Sequence, residues 1–132
     1  MYYLDSNVVI DIIRGKYPDL IEHFKKLKSS EIAIPSIVIA ELEFGAAHSD
    51  DYAKRRKQYL EVTAPYNIID FSEKEASSYG KIREQLTKDG KLIGPNDMLI
   101  AATALANEAV LVTHNTDEFS RVKGLSLEDW RK

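Results

Sequence analysis

Ile93-Gly94-Pro95-Asn96-Asp97-Met98-Leu99-Ile100-Ala101-Ala102-Thr103 joins strong helix-start chemistry to one acidic side chain. Gly94 suits the N-cap, and Pro95 suits the first helical position, where its fixed φ fits and its missing N–H goes unneeded. Asp97 then falls in the first turn. Met98 to Ala102, with Ala104, Leu105 and Ala106, are apolar almost all round, which predicts a buried helix with Asp97 at its rim. A carboxylate there is also favoured by the helix dipole and by free backbone N–H groups, so Asp97 alone is as well explained by structure as by function. Its company elsewhere in the chain decides.

Working outward, Val110-Leu111-Val112-Thr113 is a strand followed by the polar loop His114-Asn115-Thr116-Asp117-Glu118-Phe119, and Leu125-Ser126-Leu127 adds an edge strand. Upstream, Ser72-Glu73-Lys74-Glu75 is a capping box that opens a helix ending near Gly90. Ile68-Ile69 is a short strand. Asp50 or Asp51 opens a polar helix through Leu60, ending before Pro65; its Lys54-Arg55-Arg56-Lys57 run is a solvated face or a phosphate-contacting surface. Ile32-Ala33-Ile34 is a buried strand, after which Ser36 caps a helix. On that helix Glu41 follows a long apolar run and needs a partner if buried, whereas Glu43 lies on another face and is expected to be solvated. Pro18 to Lys28 is an amphipathic helix. Tyr2-Tyr3-Leu4 is the first strand, Asp5-Ser6-Asn7 a turn with capping residues, and the next helix stops at Gly15.

Strands alternate with helices throughout, which predicts an α/β fold in three layers, a central, mostly parallel sheet of four to five short strands flanked by helices. The 132 residues, 44% of them hydrophobic, fit one domain over 1–132. There is no cysteine, which excludes disulfides, thiolate catalysis and Cys-ligated zinc, and the three histidines are too scattered for a metal motif. No apolar run approaches a membrane span and the N-terminus lacks a signal peptide's pattern, so a cytoplasmic protein is expected. A net charge of -3 gives no global attraction to nucleic acid, leaving a local basic patch or a metal to supply it.

In a parallel sheet Asp5, Glu41, Asn115 and Asp117 all follow strands and gather at the carboxyl edge, where open α/β sheets bind ligands. Asp97 must reach that edge across the sheet face. Several carboxylates held within a few ångströms repel one another, and a divalent cation is the simplest remedy. Oxygen-only ligation favours Mg²⁺ or Mn²⁺ over Zn²⁺, and such an ion suits phosphodiester hydrolysis. No P-loop, GxGxxG or GxSxG motif offers another chemistry.

Tyr3-Leu4-Asp5-Ser6-Asn7, Ala40-Glu41-Leu42, Ile93 to Ala102 and Leu111-Val112-Thr113-His114-Asn115 resemble, in order, the motifs of the PIN-domain ribonucleases. The short length and the ending from Phe119 to Trp130 resemble in particular the VapC-type toxins of type II toxin–antitoxin pairs. The resemblance implies a Mg²⁺-dependent endoribonuclease, usually a homodimer, acting on RNA (tRNA as the first guess) and held inactive by a cognate VapB-type antitoxin. It makes Asp5, Glu41 and Asp97 metal-binding acids. Ser6 stands where threonine is more usual. Asn115 occupies a place that is aspartate in some relatives, so the fourth acidic place falls to Asp117 or is filled through water. Apolar side chains around Ile12-Ile13 and Phe44 either join the core or line a groove for the antitoxin. The alternative is a catalytically silent PIN-fold module that binds RNA or protein. A phosphoacceptor domain is not matched, since it needs adjacent acids after the first strand and a lysine after a late one.

Overall fold

The computed structural model describes Met1–Lys132, and its element order follows the alternation of the sequence. The elements are β1 (Tyr2–Leu4), α1 (Ser6–Arg14), α2 (Pro18–Lys26), a 3₁₀ turn (Ser29–Glu31), β2 (Ile32–Pro35), α3 (Ser36–Ala47), α4 (Tyr52–Thr63), β3 (Asn67–Ile69), α5 (Glu73–Asp89), α6 (Pro95–Ala106), β4 (Val110–Val112), α7 (Thr116–Phe119) and β5 (Ser126–Glu128). All strand pairs are parallel, in the order β3-β2-β1-β4-β5. From β1 the chain steps outward to β2 and β3, then returns to lay β4 on the other side of β1. The carboxyl ends of β1 and β4 therefore flank the point where the strand order reverses, the crevice in which such sheets hold ligands. Leu4 pairs with Val112 there.

Strand and helix boundaries follow local chemistry. Gly15 closes α1 in the left-handed region at φ 67°, a conformation that glycine takes without a Cβ penalty. The Ser72/Glu75 capping box is formed in full. As its apolar sequence predicts, α6 buries Met98, Ile100, Ala101, Ala102, Thr103 and Ala104. Because α6 leads directly into β4, it runs antiparallel to the strands. Its N-terminus therefore emerges at their carboxyl ends, and Asp97 needs no further reach.

Four local expectations differ. Ser36 is the first helical residue and Pro35 is the cap, with no side-chain bond, because β2 extends through Pro35 and the helix starts at once. Leu27 is extended and packs against the core, so α2 stops at Lys26. The polar segment after β4 contains α7, pinned by fully buried Phe119. Glu43 is not simply solvated: it accepts hydrogen bonds from the hydroxyls of Tyr52 and Tyr59 and pairs with Arg56 at 3.5 Å, tying α3 to α4. Phe44 is 69% exposed and so is not core, while Ile12 and Ile13 pack partly against it.

Candidate active site

Asp5 sits one residue past β1 and is 3% exposed. Its N–H donates to the Val112 carbonyl at 3.0 Å, continuing the ladder, while its extended backbone makes it the N-cap of α1. Both carboxylate oxygens are held: Oδ1 accepts from the Ser6 N–H at 2.8 Å and Oδ2 from the Thr113 hydroxyl at 2.8 Å. The Thr113 oxygen accepts in turn from the Asn115 N–H at 3.0 Å. Burial raises the Asp5 pKa and the Glu41 charge adds to this; the bonds from Thr113 and Ser6 oppose it without cancelling it.

Asp97 faces this pair from the first turn of α6. Burial comes first, with the charges of Asp5 and Glu118 next, and together they push its pKa up to about 7. Glu118, on α7, moves the other way. Its Oε1 accepts from the Gly94 N–H at 3.0 Å and its Oε2 from the Asn115 amide, and it also takes a hydrogen bond from Asp97. Of the two carboxyls, Asp97 is therefore the one that holds a proton more readily. A Cβ on Gly94 would stand 3.5 Å from Asp97 Oδ2 and 3.9 Å from Glu118 Oε1, so a side chain there would crowd both acids. Glu41 projects from α3 with Oε1 buried and without a hydrogen-bond partner.

The geometry brings Asp5, Glu41 and Asp97 together electrostatically and leaves Asp117 out. Asp117 is exposed, and only its main-chain carbonyl is engaged, by Ser120. Its neighbour Glu118 is the acid that turns toward Gly94 and Asn115. A signal for this lay in the sequence: Asn115 and Glu118 have the spacing of a helix cap and its third residue, which turns the glutamate back toward the cap. Thr113, in the Leu111-to-Asn115 motif, takes its role from its bond to Asp5, a partner 108 residues away that no local pattern reveals.

These residues suit a hard divalent cation in donor chemistry, since they are all oxygens, one buried oxygen lacks a partner, and burial with the neighbouring acids raises the pKa of Asp97. They do not stand as a finished cage, for no three acids or histidines are gathered in ligand arrangement. The fit is one of donor chemistry.

The family model described as PIN domain matches residues 2–125. The chain belongs to the PIN-domain family. It is 40% identical over 134 residues to ribonuclease VapC2 of Rickettsia felis, covering 100% of this chain and 99% of that protein. It is 33% identical to the tRNA(fMet)-specific endonuclease VapC of Shigella flexneri, over 98% of this chain and 97% of that one. Among solved structures, VapBC2 from Rickettsia felis bound to a promoter DNA fragment matches with a TM-score of 0.91 at 37% identity, covering 98% of each chain. VapBC-1 from nontypeable Haemophilus influenzae matches with a TM-score of 0.90 at 34% identity, over 99% of this chain and 98% of that one. No helix of this PIN domain is long and apolar enough to cross a membrane.

Beside the acids, the PIN domain holds His114 between Asp11, whose Oδ2 lies 3.2 Å from Nδ1, and the C-terminal Arg131, which donates to the His114 carbonyl at 3.2 Å. Burial and then the Arg131 charge hold its pKa below the usual histidine range, so the ring is neutral at pH 7. It is a packed structural histidine next to Thr113.

Proposed function

We propose that this chain is a divalent-metal-dependent endoribonuclease, the toxin of a VapBC-type pair, with Asp5, Glu41 and Asp97 as metal-binding acids. We give the fourth acidic place to Glu118 rather than Asp117. The observation that carries this reading is the buried, unpartnered Oε1 of Glu41, on an acid whose charge is felt by Asp5 and Asp97 beside the strand-order reversal. Mg²⁺, with Mn²⁺ as substitute, is the ion that this donor set favours. When bound, it would activate water at neutral pH and offset charge developing on the phosphodiester.

The chain's own groups do the rest. Thr113 and the Ser6 N–H fix both oxygens of Asp5, so that carboxylate is preorganised. Glu118, held by Gly94 and Asn115, is fixed beside Asp97, and its charge helps to raise the Asp97 pKa. RNA is the substrate class, and tRNA is the first to test, given the name of the Shigella relative. A VapB-type antitoxin restrains the enzyme by setting a basic side chain, best an arginine, against the acids. The active form is a cytoplasmic homodimer.

Purified, partner-free protein incubated with RNA tests this. Cleavage with Mg²⁺ that stops with EDTA and returns on adding excess Mg²⁺ supports it. RNA that stays intact with either ion leaves the silent binding module as the reading.

A further inference from the structure

A cavity of about 380 Å³ opens beside Glu41, between α1, α3 and α4. One wall is apolar, with Ile13 of α1 opposite Tyr59 of α4, whose hydroxyl donates to Glu43 and anchors it. The rim is basic. Arg14 and Arg55 both line the cavity and are exposed, and neither enters an ion pair, whereas Arg56 on the same helix is engaged by Glu43. Gln58 completes the lining: its Oε1 accepts from Arg55 Nη1 at 3.2 Å, while its Nε2 has no protein partner.

Two guanidinium groups without a counter-charge, lining a space that a site acid also lines, match a chain of alternating phosphates and flat bases. Phosphates supply charge that arginines can bind bidentately, and bases supply faces that rest on aromatic and apolar walls. Single-stranded RNA has both at the right scale, since a cavity of this size admits one small ligand unit. A purely apolar partner segment would leave both arginines without a counter-charge.

We propose that this cavity seats the nucleotide next to the scissile phosphodiester of a single-stranded RNA segment, with Arg14 and Arg55 on its phosphates and the Gln58 amide on its base edge. The proposal deepens the nuclease reading above and rests on it for the position of the scissile bond. Arg14 and Arg55 supply affinity that is not sequence-specific, and Gln58 supplies preference for the base, because its amide nitrogen is a neutral directional donor without a protein partner.

The test uses the full chain and a fluorescent single-stranded RNA oligonucleotide of mixed sequence. Binding is followed by anisotropy in EDTA, and cleavage separately in Mg²⁺. Arg14→Ala and Arg55→Ala should each weaken binding about tenfold and raise KM in step, leaving kcat within about twofold. Each should also reduce the slope of log affinity against log salt by about 0.7, the value for one lost contact to a single strand. Gln58→Ala should change which base flanks the cut in a randomised RNA pool, with smaller effect on affinity. Lys57→Ala, on the same helix but outside the cavity, should leave all of these values alone. Unchanged Kd, KM and salt slope in both arginine variants of a cleaving enzyme would overturn the subsite and leave the nuclease reading standing. So would loss of affinity for a VapB-type antitoxin alone, which makes the cavity the partner's seat. RNA binding that depends on both arginines in a protein that never cleaves would support the subsite and remove the nuclease reading instead.

Discussion

Glu75 and Asp97 occupy the same place in two neighbouring helices, the third residue of α5 and of α6, yet their carboxyls end at opposite limits of the carboxylate range. Glu75 is held down to about 2, first by the Ser72 hydroxyl, with help from the Asn107 amide and the Ser72 N–H. Its Oε1 accepts from Ser72 N at 3.0 Å and Ser72 Oγ at 2.6 Å, and its Oε2 from Asn107 Nδ2 at 2.9 Å. Asp97 is pushed up to about 7 by burial and by other acids. A helix start welcomes either carboxylate. What separates them is their company: donors at Glu75, which make a staple between α5 and the C-cap of α6, and burial with like charges at Asp97.

The sharpest way to break this contrast is to neutralise each acid in turn. Asp97→Asn should lower Mg²⁺-dependent RNA cleavage by more than about a hundredfold, beyond what loss of an outer-sphere contact produces. Its metal-free melting temperature should equal or exceed the parent's, since repulsion is relieved. Cleavage near the parental rate would refute the role given to Asp97. Glu75→Ala should do the reverse. It removes the charged acceptor shared by Ser72 and Asn107 and should destabilise the fold by about 2 kcal/mol, with activity per folded molecule unchanged. Urea titration read against active-site-normalised rates checks this, and a stable variant with lost activity would invert the assignment.

A finer comparison sets neighbours against each other. Glu118→Gln should reduce cleavage about tenfold and weaken metal binding measured by calorimetry, whereas Asp117→Asn should stay within about twofold. Equal effects would return Asp117 to the site.

The smallest effect is in pH. In EDTA, Asp97 binds its proton more tightly folded than unfolded, so its contribution to stability falls as pH rises from about 4 toward 7. Glu75 has the opposite sign: its stabilisation is complete above the ordinary glutamate range and is lost as pH falls toward about 2. Denaturation across this range should show Asp97→Asn removing the decline toward neutrality and Glu75→Ala weakening the acid-side dependence. If Asp97→Asn leaves the decline toward neutrality intact, the repulsion described here is absent.

Much of this was legible in residues whose chemistry is local. Gly94-Pro95 and the all-round apolar run gave α6, the Ser72 box gave the start of α5, and a strand beginning at Tyr2 put Asp5 at its end. Legibility failed where a side chain's partners come from a different element. Glu43 looked solvated because Tyr52 and Tyr59 belong to the next helix, and only packing of α4 on α3 brings their hydroxyls to it. Between Asp117 and Glu118 charge could not decide, since both carry it. Burial of Phe119 fixes the rotation of α7, and with it which acid turns inward.

The bond from Thr113 to Asp5 joins positions 108 residues apart, and it lies in the middle of the sheet. β1 leaves the ribosome first but is flanked by β2 and by β4, so its second neighbour is among the last elements made. Until residues 110–119 have emerged, neither Thr113 nor Glu118 exists to hold the acids, and a chain abandoned earlier in synthesis carries no assembled site. Such long-range closure makes folding slower than a helical bundle of equal size would allow. The acids at the head of the chain therefore wait for partners from its far end, and the site is assembled only when the last strands fall into place.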